Sequence, residues 1–173
     1  MNKVIFAVLV SSAMSASVLA ADMGHGKVTF KGAIITAPCS ISPNSIDQTI
    51  ELGQIADSTL MGGGRSTPRT FDVSLENCKS ENLKSGVQLT FSGAAAAFDT
   101  TNKTLGLVGT ASGAGVQITN PAGQVITLGK PSPFQIIQNG SNTLRFAAYL
   151  IGDGDKAKTG EFSSIADFTL NYE

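Results

Sequence analysis

The chain has 173 residues, of which 12 are Lys or Arg and 13 are Asp or Glu, and its formal net charge is −1. Because the basic residues are scattered rather than clustered, nucleic acid is not an expected partner. Charged residues make up 14% of the chain and 19 residues are glycine, a composition that favours a compact β-protein with a largely uncharged surface.

The first twenty residues have the layout of a secretory signal peptide. Lys3 precedes an apolar stretch over residues 4–10, and the small residues Val18 and Ala20 precede a predicted cleavage site after residue 20. The apolar stretch is too short to span a bilayer. We therefore expect residues 1–20 to be removed during export, leaving a soluble mature protein of one domain in an oxidising compartment.

Cys39 and Cys78 are the two cysteines of the chain. In an exported protein such a pair most simply forms a disulfide, and two reactive thiols are the alternative. Closing a loop of about 40 residues is expected to stabilise the fold by about 4 kcal/mol in the chain-entropy model.

Apolar and polar residues alternate with a period of two along much of the mature chain, with turn residues between the alternating stretches. The sequence at 120–123 predicts a hairpin turn, because Pro121 fixes its own φ and Gly123 accepts a positive φ. Short strands without an amphipathic helix predict a single all-β domain with an immunoglobulin-like sandwich fold. The predicted strands cover residues 26–36, 48–55, 69–76, 86–92, 114–119, 124–128, 143–151 and 161–172, and the predicted loops cover 61–68, 92–104 and 152–160.

Few residues could support catalysis or metal binding. His25 is the single histidine, and no nucleophile elbow, phosphate-binding loop or C-x-x-C motif occurs. His25 near Asp22 could bind a metal, but an exposed strand residue is the favoured interpretation. The residues at 152–155 resemble a calcium loop but lack the glutamate it needs downstream, so they predict a turn. We expect no enzyme activity, no metal and no cofactor.

The two ends of the mature chain alternate most regularly. Near the start, polar residues 25, 27, 29 and 31 oppose a face of small and apolar side chains. Near the end, the alternation continues to Glu173, so we expect the outer edge of the final strand to need a partner. The apolar faces comprise Gly24, Gly26, Val28, Phe30, Gly32 and Ile34 at the first end, and Phe162, Ala166, Phe168, Leu170 and Tyr172 at the second.

Four separated motifs resemble those of one protein family. They are "GKVTFKGAIITAPCSIS" with Cys39, "DQTIELGQI" at 47–55, "LENC" ending at Cys78, and the C-terminal "GEFSSIADFTLNYE". In the last motif, Gly160 and the penultimate Tyr172 match signature positions of the family. The chain is thus similar to pilins of the chaperone–usher pathway of Gram-negative bacteria, most closely to the major rod subunits of P-type and related fimbriae.

The resemblance implies an incomplete immunoglobulin-like β-sandwich that lacks its last strand, with an N-terminal donor-strand extension at 21–31 and a pilin domain at 32–173. It also implies polymerisation with identical or related subunits, transfer by a periplasmic chaperone and an outer-membrane usher, and a final location in a cell-surface fimbrium. It assigns the disulfide to Cys39 and Cys78, the donor face to Gly24, Gly26, Val28, Phe30 and Gly32, and the groove edge and chaperone zipper to Gly160, Ala166, Phe168, Leu170 and Tyr172.

Other interpretations stay open at this point. Phe168 or Leu170 could be ordinary core residues of a complete sandwich, and Gly26 could simply give flexibility. The chain could also be a minor, adaptor or terminator pilin, or a secreted lectin-like binding module. A tip adhesin is disfavoured because the chain lacks the length for an added lectin domain and has no tryptophan.

Overall fold

The structure, a computed structural model, describes residues 26–81 and 83–173. The described residues fall into two units, 26–35 and 36–173. The predicted signal peptide, the start of the donor extension and its residue Gly24 lie outside the described residues. Among the residues that are described, no helix is long and apolar enough to cross a membrane.

The unit formed by residues 36–173 is built mainly from strands. The helices Pro43–Ile46 (α1) and Asp57–Leu60 (α2) and the 3-10 helix Met61–Gly63 lie between the first two strands. Each is about one turn long, so strand packing must supply the core. The strands are Ser40–Ile41 (β1), Arg69–Cys78 (β2), Val87–Ser92 (β3), Thr104–Leu105 (β4), Val108–Gly109 (β5), Ala114–Thr119 (β6), Gly140–Gly152 (β7), Phe162–Ser163 (β8) and Asp167–Tyr172 (β9).

The larger sheet has the strand order β1-β2-β7-β6-β4, and all its neighbouring strands are antiparallel. The long strands β2 and β7 therefore lie near its centre. The final strand, β9, pairs with β3, and the register runs from Val87 opposite Tyr172 to Ser92 opposite Asp167. The short strands β5 and β8 form a separate pair.

Side chains from β3 and from the larger sheet meet in one apolar core. Val73 and Leu75 of β2 are fully buried, as is Leu89 of β3. The ring of Phe91 in β3 packs edge-to-face on Phe146 in β7, with ring centroids 5.1 Å apart. Full burial of such a side chain contributes roughly 1.5–3 kcal/mol to folding. These contacts join the β3–β9 pair to the larger sheet, which confirms the predicted β-sandwich.

The predicted disulfide is present. It joins Cys39, next to the start of β1, to Cys78, the last residue of β2, and both cysteines are buried in the core. The strand β1 pairs with β2 through two residues, Ser40 and Ile41. The covalent bond therefore anchors the start of the domain to a central strand, where two pairs of residues alone would hold it weakly.

The predicted strands at 69–76, 86–92, 114–119 and 143–151 are confirmed as β2, β3, β6 and β7, with changes of at most three residues at their ends. The predicted strand at 161–172 is divided into β8 and β9. The hairpin turn is also confirmed, since the Gly123 N–H donates to the Asn120 carbonyl at 2.9 Å and Gly123 has a φ of +76°.

Three predicted strands are wrong. Residues 26–36 and 48–55 contain no strand, and within 124–128 the one pairing is an isolated bridge between Val125 and Thr119. An alternating pattern shows which side chains favour burial, but a strand also requires backbone groups on a neighbouring strand. Residues 48–55 line the site described below.

The carboxylate of Asp99 organises the turn before β4. Its Oδ1 accepts hydrogen bonds from the Thr101 N–H at 2.7 Å and the Thr101 hydroxyl at 2.6 Å, and its Oδ2 accepts one from the Lys103 N–H at 2.8 Å. Burial raises the pKa of Asp99, but hydrogen bonds from Thr101, Thr104 and Lys103 outweigh that effect and hold the pKa well below its ordinary value of 3.8.

We expect Asp99→Asn to lower the free energy of unfolding by about 1 kcal/mol at neutral pH, a figure that allows for solvent screening. Because the folded carboxyl has the lower pKa, its stabilising effect is fully present above the unfolded value. It declines as the pH falls from about 3.8 towards the folded pKa. Urea unfolding of both proteins over this pH range would measure the decline, with Glu51→Gln as an exposed control. A difference independent of pH would contradict the prediction.

Candidate functional site

A long groove with a cavity volume of about 1170 Å³ opens into the core of the 36–173 unit. One rim is formed by residues 45–55, which lie between β1 and β2, and the other by residues 160–168, which include β8 and the start of β9. The groove thus lies along the side of β9 that does not face β3.

The floor of the groove is apolar and belongs to the core itself. Phe91 and Leu105 each have 2% of their surface exposed, and both line the cavity. Any occupant would therefore touch core side chains from both layers of the sandwich. The floor consists of Phe71, Phe91, Leu105, Val116, Ile118 and Ala148.

The β9 rim has unpaired backbone groups. Gly86 and Glu173 exchange two backbone hydrogen bonds, of 3.0 and 3.1 Å. In an antiparallel pair every second residue is bonded in this way, so Asn171 and every second residue before it in β9 bond to β3. The backbone groups of the residues between them, Phe168, Leu170 and Tyr172, point to the other side. Among residues 26–81 and 83–173, they have no hydrogen-bond partner. This edge is open to an additional strand.

The opposite rim is also extended and unpaired. From 48 to 52, half-buried and exposed residues alternate, and the half-buried ones are Gln48, Ile50 and Leu52. Within the described part of the chain, residues 48–55 make no backbone–backbone hydrogen bond. Among the described residues, free N–H and C=O groups therefore flank the apolar floor at 48–55 on one side and along β9 on the other. Such a site suits an extended peptide with alternating apolar side chains.

The structure brings together part of the predicted groove edge. Gly160, Ala166 and Phe168 line the cavity, whereas Leu170 and Tyr172 lie on the same face of β9 but do not line it. The other four predicted residues, Ala166, Phe168, Leu170 and Tyr172, all pack their side chains against the core. The Tyr172 hydroxyl is buried without a hydrogen-bond partner among the described residues, and burial raises the pKa of Tyr172.

Gly160 is required by close packing. A Cβ at this position would collide with the backbone nitrogen of Ala111 and lie 2.5 Å from the Thr110 hydroxyl oxygen, and φ is +154°. We expect Gly160→Ala to lower the free energy of unfolding by at least about 1 kcal/mol, because the backbone would have to shift. Thermal or urea unfolding would measure this. Gly154→Ala provides a control with positive φ but open space, and equal losses in both variants would exclude the collision as the cause.

The predicted donor residues lie in the other unit, which is described by itself. Residues 26–35 contain no helix or strand. Phe30 has 90% of its surface exposed and Val28 has 74%. Gly26 and Gly32 are also exposed, and an added Cβ would meet no atom within 4 Å at either position.

Sequence reasoning missed most of the groove. Residues 48–55 were predicted to be a paired strand rather than an unpaired rim. The floor residues other than Leu105 fall in predicted strands, without any indication that they face a cavity, and Leu105 falls in none. The available signal was the alternation at 48–55, which marks Ile50 and Leu52 as inward-facing but does not reveal what lies beside them.

Comparison with known proteins gives consistent findings. The family model described as "Fimbrial protein" matches residues 28–173. The protein called "Fimbria A protein", from Serratia marcescens, is 49% identical over 175 residues, which cover 100% of this chain and 99% of the relative.

Two solved structures are similar in sequence and in fold. A chain of a chaperone–usher pilus, studied for the uncoiling of its rod, is 32% identical with a TM-score of 0.76, covering 87% of this chain and 97% of that chain. The P pilus rod subunit PapA is 30% identical with a TM-score of 0.69, covering 79% of this chain and 100% of that chain.

Proposed function

Because this chain belongs to the fimbrial protein family and is a structural pilin with that family's immunoglobulin-like fold, we propose that its copies polymerise head to tail by donor-strand complementation. In this mechanism, residues 21–31 of one copy enter the groove of the next copy as an added strand. Main-chain hydrogen bonds supply affinity, and alternate side chains set the register. One observation carries the proposal: within the described chain, residues 48–55 on one side of the groove and Phe168, Leu170 and Tyr172 on the other make no backbone–backbone hydrogen bond.

The exposed side chains of the N-terminal segment support this role. Val28 and Phe30 are large apolar residues on one face of an alternating segment, and both are exposed. Their burial in a neighbour's groove would contribute roughly 1.5–3 kcal/mol each. The open space around Gly26 and Gly32 gives no local reason for glycine there. A close approach to a partner's backbone would supply one.

The lengths of the two elements also agree. Residues 23–34 would reach about 40 Å when extended, at about 3.3 Å per residue. The rim at 160–168 and the rest of β9, up to Tyr172, together contain a similar number of residues. One donor segment is therefore long enough to follow the whole rim.

The charges on the two partners are complementary. Carboxylates of Asp47, Glu51, Glu161 and Asp167 lie among the residues lining the groove, and within the described chain no Lys or Arg lines it. The polar face of the donor segment carries lysines at 27 and 31. Opposite charges at the rims of a binding site speed association, and added salt weakens the attraction between them.

A donor segment and a groove at different places on one chain produce a particular kind of assembly. Each copy uses one surface to give a strand and another to receive one, so the contact is heterologous. When the rotation between copies does not close a ring, such contacts generate an open helical filament. This geometry suits the rod of a fimbrium at the cell surface.

We further propose that other proteins cover the groove before assembly. An open apolar floor and an unpaired strand edge would promote aggregation of a free subunit. A periplasmic chaperone that lends a strand to the groove would prevent this, and an outer-membrane usher would exchange that strand for the donor of the next subunit. Passage through the periplasm also suits the formation of the Cys39–Cys78 disulfide.

The proposal predicts that deletion of residues 21–31 abolishes polymerisation. The mature chain and the deletion variant would each be released from the chaperone and analysed on denaturing gels without heating. We expect a ladder of multimers from the full chain and a single band from the variant, because the variant keeps its groove but lacks a donor.

Addition of a synthetic peptide of residues 21–34 provides the control. It should bind the deletion variant one to one and raise its unfolding midpoint, which shows that the groove is intact. A ladder that persists after the deletion would contradict donor-strand assembly. Two monomeric chains that are stable without chaperone or peptide would show that the sandwich is already complete.

A further inference from the structure

We propose that Pro131 and Pro133 block strand addition at the opposite edge of the β3–β9 sheet, so that an incoming strand is directed to the groove. This inference rests on the proposed function, because it concerns which of two sheet edges accepts a donor strand. It assigns to these prolines a role in the specificity of assembly.

The edge in question is formed by the segment 131–137, which follows β3 on the side away from β9. Gln135 and Val87 exchange two backbone hydrogen bonds, of 2.8 and 2.9 Å, and the Ser132 N–H donates to the Leu89 carbonyl at 2.8 Å. The spatial order is therefore segment 131–137, β3, β9 and then the groove. The smaller layer of the sandwich has two outer edges, and both are candidates for strand addition.

If the outer edge of this segment were a regular strand edge, it would favour pairing with another chain. Ile136 has 89% of its surface exposed and Phe134 has 38%. Because Gln135 bonds to β3, the backbone groups of Phe134 and Ile136 point outwards. They have no backbone partner among the residues that the structure describes. Exposed apolar side chains beside free backbone groups favour pairing with another chain.

Pro131 removes a hydrogen-bond donor from that edge. Pro131 is bridged to Thr90, and the next residue, Ser132, donates to β3. In an antiparallel ladder adjacent residues face opposite ways, so the backbone nitrogen of Pro131 faces outwards. Proline has no N–H, and an incoming strand would find no donor at this position.

Pro133 lies within an irregular stretch of the edge. Gln135 is bridged to Val87, and Pro131 is bridged to Thr90. Between these two bridges the outer segment contains one more residue than β3, which defines a β-bulge. Pro133 cannot donate to β3. In its place, the Ser132 N–H bonds to the Leu89 carbonyl and the Ser132 hydroxyl accepts from the Leu89 N–H at 3.1 Å. The bulge twists the edge and interrupts the register that an added strand needs.

The test compares four full-length chains. Two of the chains have the native donor segment, and two carry Phe30→Asp, which disables the donor. In each of these pairs, the first chain has the native prolines and the second has Pro131→Thr together with Pro133→Thr. The molar mass of each chain would be measured by light scattering over a range of concentrations, after circular dichroism has verified folding.

The proposal is judged within the Phe30→Asp pair. We expect the threonine variant to associate more strongly, by about fivefold in the association constant for the outward backbone donor restored at residue 131. Addition of Ile136→Lys should reverse the gain, because a charge on the edge opposes pairing. Equal association of the two chains, or a gain that Ile136→Lys does not reverse, would overturn the proposal.

The proposed function is judged separately, by comparing the native chain with Phe30→Asp when both have native prolines. Equal polymerisation of those two would overturn donor-strand assembly without affecting the comparison at the proline edge. Pro121→Thr, in the hairpin turn, is the matched control and should not increase association. If the double variant fails to fold, Pro131→Thr alone keeps the bulge and still restores the outward donor.

Discussion

Phe30→Asp is expected to abolish assembly while leaving the fold of the 36–173 unit unchanged. Phe30 has 90% of its surface exposed in the single chain, so its replacement removes no packing there. In a neighbour's groove, by contrast, its side chain would lie over the apolar floor that contains Phe91 and Leu105. Placing a carboxylate there without a cationic partner costs several kcal/mol. The multimer ladder on unheated gels should therefore disappear.

Thr29→Asp is the matched control for this prediction. Residue 29 lies on the polar face of the donor segment, next to Phe30 in sequence. The Thr29→Asp substitution adds the same negative charge as Phe30→Asp. That face would remain in water, so the ladder should persist with at most a slower rate of formation caused by the acidic rims. If Thr29→Asp abolished assembly as completely as Phe30→Asp, the assignment of the inward face would be wrong.

Phe91→Ala should cause the largest loss of folding stability, about 3–5 kcal/mol. Phe91 is 2% exposed, and its ring contacts Phe146 and Phe71 across the sandwich at centroid distances of 5.1 and 6.2 Å. It also faces Phe168 at 6.3 Å. The truncation therefore removes contacts in both layers and widens the floor of the groove.

Urea unfolding of the monomeric chain would measure this loss. Phe134→Ala removes the same side chain from an exposed edge and should cost less than about 1 kcal/mol. The Phe91→Ala variant should also bind a peptide of residues 21–34 less tightly, because the peptide would contact a depleted floor. Similar losses from Phe91→Ala and Phe134→Ala would show that the aromatic cluster does not hold the two layers together.

The paired strands could be predicted because their inward residues are large and their periodicity is strict. In β2, Val73 and Leu75 alternate with polar residues, and in β7, Leu144 and Phe146 do so. The turn at 120–123 was equally accessible, since proline and glycine constrain the backbone locally. The two-residue strands β1, β4 and β5 were missed because two residues carry no periodicity to detect.

The groove was harder to predict from the sequence, because periodicity describes one segment and says nothing of the strands beside it. Ile50 and Leu52 alternate as strand residues do, and yet their backbone has no partner among residues 26–81 and 83–173. Within the same residues, the backbone of Val28 and Phe30 is also unpaired. In both segments the alternation predicts side chains that favour burial in a sheet. Ile50 and Leu52 are half-buried, whereas the burial of Val28 and Phe30 stays a prediction. Whether the remaining partner belongs to the same molecule depends on the tertiary structure, which the pattern does not contain.

The position of the disulfide determines how a filament would carry mechanical load. In the proposed filament, tension on residues 21–31 would enter the domain near Cys39, where β1 pairs with β2 through two residues. The covalent bond instead passes the force to Cys78 and so to β2, which pairs with β7 over most of its ten residues. A pull on one subunit is thus resisted by the middle of its larger sheet, and reduction of one bond would move the point of failure to the periphery.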